Sequence, residues 1–332
     1  MNKTYIIAEI GNTHEGSLGL AKQFIKAAAA CKVDAVKLQT HIFEAESLPN
    51  APNPPYFKDE TRKEYFERTA FNLKQYKELK RYANEECGVD FLSSPFSFEA
   101  VDLLMDLGID MFKIPSGEVS NTPLLEYIAN TGKKVILSSG MSGWEEMDEA
   151  VSIFKGRNEL VVLQCTSEYP CPPEHAGLNI MIEMKDRYQC PVGFSDHTLG
   201  VAVPLTAVVM GACMVEKHFT LSRQMYGSDA KNSTEPAEFA YLVESIRAAE
   251  LAMYNKVSKN IKKEELENMK LIFEKSIVAN KVLTAGHTIT LEDLWFKKPG
   301  NGIPANAYKS IVGKKLKNEV QQNQMIKPEN IN

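Results

Sequence analysis

"PVGFSDHTLGVAVPLTAVVMGACMVEKHF", residues 191–219, reads as strand, helix, strand. PVGFSD (191–196) and CMVEKHF (213–219) are short, almost continuous apolar runs, and the stretch 199–211 between them is helical in pattern. Strands that are apolar on both faces belong to a parallel sheet covered by helices. Each strand runs straight into a histidine, His197 and His218, in a chain that has only six. Two unrelated core imidazoles would explain that, and so would one shared metal site. The arrangement of the other strands bears on the choice.

The same unit recurs along the chain. Further strands are read at 4–10, 34–40, 89–94, 110–115, 133–139 and 159–165, with amphipathic stretches at 17–31, 72–86, 97–107, 121–131, 143–155 and 236–254. Eight such units predict a (β/α)₈ TIM barrel, with an open doubly wound sheet as the alternative. Active sites of such barrels gather at the C-terminal strand ends. Those ends carry Glu9; Lys37 and Gln39; Ser93 and Ser94; Lys113 and Ser116; Ser138 and Ser139; Thr166 and Ser167; Ser195, Asp196 and His197; Glu216 and His218. Serines and aspartates there double as helix caps, but a cap does not call for a lysine.

Beyond about residue 255 the texture changes. We expect the barrel over 1–256, a charged linker or exposed helix over 257–273, and a small separate domain over 274–332. The net charge of −5 speaks against a nucleic-acid partner. No apolar run is long enough to span a membrane, and the apolar start is too short for a signal peptide. Cys31, Cys87, Cys165, Cys171, Cys190 and Cys213 form no CxxC pair, so they are expected to be reduced thiols of a cytoplasmic protein.

If the barrel is right, His197 and His218 end neighbouring strands and can reach one ion. Two imidazoles without a thiolate would leave coordination positions for water and substrate. Lys37 and Lys113 with Ser94, Ser116 and Ser138 predict a cationic, donor-rich pocket suited to phosphate or carboxylate. Either lysine could instead face solvent, or form a Schiff base. His14 could face the barrel mouth or serve a local turn, and His41 could line a substrate pocket. His175 and His287 sit in polar loops with no functional pattern, and the Met-rich 180–184 reads as core helix.

The ordered set IIAEIGNTHEGS, AVKLQTH, FLSSPF, FKIPSGE, LSSGM, LQCTSEYP, GFSDHT and EKHFT resembles the sialic acid synthase family, and LWFKKPGNGI resembles that family's antifreeze-like SAF domain. The resemblance implies condensation of phosphoenolpyruvate with an N-acetylated hexosamine, N-acetylmannosamine first and the di-N-acetyl sugar of legionaminic acid second. It implies a divalent ion, Mn²⁺ foremost with Mg²⁺ or Co²⁺ as alternatives, on His197 and His218. It places Lys37, Ser94, Lys113, Ser116, Ser138, Ser167 and Ser195 around phosphoenolpyruvate, and Glu9, Gln39, Tyr169 and Asp229 around the amino sugar, with Glu9 and Lys113 also in catalytic roles. It implies a domain-swapped homodimer in which Lys298 of one subunit reaches the other's barrel. Two positions depart from the family pattern. Gln164 stands where a His is frequent, and Lys298 where an Arg is frequent, which loses the planar fork. A Schiff-base pyruvate aldolase and a non-enzymatic carbohydrate- or ice-binding protein are the competing classes.

Overall fold

The computed structural model describes residues 3–53, 60–260 and 264–332. The chain divides into two compact units, Met1–Asn255 and Lys256–Asn332. In the first, eight parallel strands run β1 (Tyr5–Gly11), β2 (Ala35–Thr40), β3 (Asp90–Pro95), β4 (Met111–Ile114), β5 (Lys134–Ser138), β6 (Leu160–Cys165), β7 (Val192–Asp196) and β8 (Met214–His218). Their order is β3-β2-β1-β8-β7-β6-β5-β4, so β1 pairs with both β2 and β8. β3 and β4 lie side by side at the one junction without a hydrogen-bonded ladder. This is a nearly closed (β/α)₈ barrel, and the β1–β8 pairing rules out the doubly wound alternative.

Helices at Leu18–Ala30, Leu73–Arg81, Phe98–Leu107, Thr122–Asn130, Trp144–Phe154, Leu178–Tyr188, Ala202–Val209 and Pro236–Tyr254 follow the strands in turn. Their starts are chemically marked. Ser17 accepts a hydrogen bond from Leu20 N, Ser97 from Ala100 N and Asn121 from Leu124 N, each satisfying an otherwise unpaired backbone donor. Two short helices, Phe43–Glu46 and Arg62–Thr69, follow β2 and have no counterpart in the periodicity analysis.

The pleat sorts each strand into two rows. Val36 and Leu38, Val215 and Phe219, and Ile6, Ala8 and Ile10 face outward into the main core beneath the helices. The inward row begins with an apolar floor of Ile7, Ala35, Leu92, Ile136, Leu163 and Met214, with Met111 packed against it. At Gly193 a Cβ would lie 2.5 Å from Met214 O and 2.6 Å from Leu163 Cδ2, so only glycine fits this floor position on β7. Two residues further along each strand, the inward row becomes Glu9, Lys37, Ser94, Lys113, Ser138, Cys165, Ser195 and Glu216, all of them buried.

In the second unit, β9 (Ser276–Ala279) and β10 (Leu294–Lys297) pair antiparallel over a core that includes Ile277, Leu283, Ile289, Leu316, Val320 and Ile326. Glu264–Phe273, within the expected linker, is a helix, and residues 261–263 of that linker lie outside the described residues. Among the described residues no helix is long and apolar enough to cross a membrane, and all six cysteines are free.

Candidate active site

The C-terminal end of the barrel opens into a cavity of about 700 Å³. Its lining brings together Glu9, Lys37, Gln39, His41, Ser94, Lys113, Ser116, Ser167, Tyr169, Ser195, His197, His218 and Asp229 from the sequence-derived set. Ser138 is fully buried and its Oγ has no hydrogen-bond partner among the described residues.

The lysines do not form the bare cationic pocket expected from sequence. Lys37 Nζ lies 2.8 Å from Glu9 Oε2, 3.1 Å from Ser94 Oγ and 3.8 Å from Glu216 Oε1. Lys113 Nζ lies 3.1 Å from the same Glu216 oxygen, and Ser195 Oγ donates to it at 3.3 Å. Two buried ammonium groups are thus matched by two buried carboxylates, because an uncompensated charge here would carry a large desolvation penalty. Burial alone would raise Glu216, but the ammonium groups of Lys113 and Lys37 outweigh it and hold its pKa at about 2. Burial alone would lower Lys37, but Glu216 and Glu9 outweigh it and push its pKa up. Glu216 was visible as a strand end but not recognised as a site residue. Its signal is the inward parity it shares with His218, two residues on.

The two histidines meet as the barrel reading required. Their ring centroids are 5.5 Å apart, and the Tyr169 ring lies 4.1 Å from His197 and 5.9 Å from His218. His197 Nδ1 is 2.7 Å from the Thr166 carbonyl oxygen, which can only accept. The proton is therefore on Nδ1 and the lone pair on Nε2, the tautomer of a metal-ligating imidazole held by a backbone carbonyl. His218 Nδ1 is buried without a partner among the described residues. Burial pushes both imidazoles below their ordinary pKa, so both are neutral donors at pH 7. Among the described residues no group of three or more His, Cys, Asp or Glu is arranged to hold an ion. The pair suits a divalent metal that takes its remaining ligands from water and substrate.

On the outer face of the same strands, Lys217 pairs with Asp196 and donates to Thr198 O at 2.6 Å, while Asp196 Oδ1 accepts from Thr198 N at 2.9 Å. Cys171 N donates to His197 O at 2.9 Å. The backbone on either side of His197 is therefore pinned.

The other histidines sort by environment. His14 is buried, stacks on Phe71 at 4.5 Å and accepts from Gly16 N at 3.1 Å, so it serves the local turn. His175 pairs with Glu168 and His287 with Asp293. Gln164 faces away from the cavity: Ser139 Oγ donates to it, and its amide donates to Cys165 O and Ala176 O. Lys298 belongs to the second unit, where its Nζ stands 4.8 Å from the centroid of the Phe273 ring. Asn12, Glu46, Arg62, Glu118, Cys165 and Asn232 also line the cavity. Sequence reasoning missed them because they lie on loops and short helices, or carry side chains without distinctive chemistry.

Comparison with known proteins now bears on this geometry. Residues 24–258 match the NeuB family and residues 274–332 the SAF domain. The chain belongs to the NeuB family. Among its NeuB relatives, the N,N'-diacetyllegionaminic acid synthase of Campylobacter jejuni is 40% identical over 98% of this chain and 100% of its own length. Human N-acetylneuraminate-9-phosphate synthase is 36% identical over 98% of this chain and 92% of its own. The solved N-acetylneuraminic acid synthetase of Leptospira borgpetersenii superposes with a TM-score of 0.69 at 33% identity, covering 81% of this chain and 90% of that one. The NeuB assignment makes this chain an enzyme.

The buried Asp196–Lys217 pair yields a prediction. Lys217→Met strands a buried carboxylate beside His197 and should lower stability by about 3–5 kcal/mol. Lys134→Ala, which breaks an exposed pair with Glu159, should have little effect. Urea unfolding of both variants checks the contrast.

Proposed function

We propose that this NeuB-family enzyme is a nonulosonic acid synthase that joins phosphoenolpyruvate to an N-acetylated hexosamine, releasing inorganic phosphate and a nine-carbon 2-keto acid. The observation that carries the reading is the conjunction, in one cavity, of two neutral, half-buried imidazoles with two buried ammonium groups and a ring of hydroxyls.

Phosphoenolpyruvate carries a phosphate and a carboxylate. Lys37 and Lys113, with Ser94, Ser116, Ser138, Ser167 and Ser195, supply the charge-assisted and neutral donors that a ligand with these two anionic groups needs. The acceptor sits against Gln39, Tyr169 and Asp229, which hold its aldehyde toward the enol carbon, and this positioning lowers the barrier. A divalent ion on His197 and His218, Mn²⁺ before Mg²⁺ or Co²⁺, would supply Lewis acidity toward the aldehyde oxygen. The enol carbon forms a bond to the aldehyde carbon as the aldehyde C=O π bond opens, leaving an oxocarbenium-like C2 and an alkoxide oxygen that takes a proton from the water captured at C2. Glu9 orients the water that adds there. The C2–O bond to phosphate then breaks, and the two lysines stabilise the charge of the departing phosphate.

The lysine pairing disfavours the Schiff-base alternative. An imine-forming lysine must lose its proton, whereas Lys37 is held protonated by Glu216 and Glu9. For the acceptor, phosphoenolpyruvate contributes three carbons, so a nine-carbon di-N-acetylated acid requires a six-carbon di-N-acetylated sugar. The family resemblance puts N-acetylmannosamine first, with motifs shared by sialic and legionaminic acid synthases, whereas the 40% identity to a diacetyllegionaminic acid synthase supports the di-N-acetylated acceptor. Assays of phosphate release with both sugars test the reading. With bridging-¹⁸O phosphoenolpyruvate the label should leave in phosphate, and label retained in the keto acid overturns the C–O cleavage route.

Metal dependence has its own test. Chelation should abolish turnover, and His197→Ala or His218→Ala should weaken Mn²⁺ binding followed by electron paramagnetic resonance. Unchanged Mn²⁺ affinity in both variants removes the ion from these side chains.

We further propose that the working form is a homodimer in which Lys298 of one subunit contacts the acceptor in the other's barrel. Mixing inactive His197→Ala and Lys298→Ala subunits should then restore roughly a quarter of wild-type activity after random exchange. No recovery after verified exchange means that each barrel works with its own Lys298.

A further inference from the structure

Two hydrogen-bonded side chains lead away from Glu9 along the cavity wall to a carboxylate that the reading above leaves unused. Gln39 Nε2 donates to Glu9 Oε1 at 2.8 Å, Gln39 Oε1 lies 3.1 Å from His41 Nε2, and His41 Nδ1 lies 2.8 Å from Glu46 Oε1. Hydrogen-bonding chemistry fixes the direction of this chain. Glu9 is ion-paired to Lys37 and can only accept, so the Gln39 amide turns its nitrogen to Glu9 and its oxygen to His41, and His41 must donate from Nε2 to Gln39 and from Nδ1 to the Glu46 carboxylate. The imidazole cannot turn away. It is clamped between Phe66, at 3.9 Å with 8° between planes, and Phe96, at 4.0 Å and 20°.

That leaves the second oxygen of Glu46. Its side chain is 7% exposed and lines the cavity, and Oε2 is buried with no hydrogen-bond partner among the described residues. A buried carboxylate oxygen without a donor is costly, and native proteins keep one chiefly where water or a ligand completes it. Arg62 Nε is likewise buried without an acceptor and lines the same cavity. Around His41 the wall therefore offers an acceptor and a donor without partners among the described residues.

We propose that Glu46 recognises the acceptor sugar, its Oε2 accepting a hydrogen bond from an O–H or amide N–H on the part of the sugar that points away from the aldehyde. The proposal rests on the synthase reading, which places the aldehyde beside His197 and His218, and Glu46 stands two side chains beyond Glu9. Through His41, Glu46 also keeps the Gln39 amide from flipping, so one residue both binds the sugar and positions a second contact to it.

The full-length enzyme is assayed with phosphoenolpyruvate, Mn²⁺, N-acetylmannosamine and a 2,4-diacetamido hexose, with analogues in which one hydroxyl or acylamino group is replaced by hydrogen. Glu46→Gln keeps the shape but turns one of two acceptors into a donor. It should raise acceptor KM about 10-fold or more, as expected for losing a hydrogen bond to a charged group, while KM for phosphoenolpyruvate stays unchanged. One analogue should lose the same factor with the wild type and nothing further with the variant, and its identity distinguishes a hydroxyl contact from an amide contact. Should Glu46→Gln fail to fold, Glu46→Asp, which keeps the charge but shortens the reach, takes its place. Should both fail, the analogue series on the wild type decides, and a flat series overturns the assignment. An active wild type whose variant keeps the acceptor KM, or raises both KM values equally, overturns the role of Glu46 alone. A wild type that turns over no acceptor overturns the synthase reading and this proposal with it.

Discussion

The pairing of Lys37 and Lys113 with Glu9 and Glu216 is the constraint from which the rest of the site follows. Two ammonium groups inside a barrel are tolerable only with carboxylates at contact distance, and here the contacts run from 2.8 to 3.8 Å. Once Glu9 is committed to Lys37, its other oxygen dictates the orientation of Gln39. Once Glu216 is shared between two lysines, Ser195 is drawn in as a donor from the neighbouring strand. The charges of this layer cancel in pairs, so its selectivity for a ligand lies in the placement of donors rather than in net charge.

Much of the architecture was legible because burial on both faces writes apolar runs, and because polar residues ended each run in register. His197 and His218 could be paired from the barrel topology alone. Whether the lysines were free or paired could not be read, because Glu216 reaches them through three dimensions, from strands distant in sequence. His14 and His41 show the same limit. Both follow a strand and both are buried, yet one closes a local turn against Phe71 while the other stands between two rings in the cavity wall. The helices Phe43–Glu46 and Arg62–Thr69 are too short for a periodic signal, and the cavity residues they carry went unseen with them.

The triplet Glu216-Lys217-His218 condenses the division of labour. Its first and third members face the cavity, and the second faces outward to Asp196, which sits on the next strand directly before His197. Chemistry and support alternate residue by residue. The support reaches His197 through backbone bonds at Thr198 and Cys171, without entering the cavity.

Because floor and polar layer are separated by two residues on every strand, the barrel counts length strictly. Removing one residue from β2 would exchange Lys37 for Val36 or Leu38 on the inner face and turn an ammonium group into the apolar layer under the helices. Insertions and deletions are therefore excluded from the strands and left to the loops. A natural or designed relative can vary its length around this site, but it cannot vary the spacing within it.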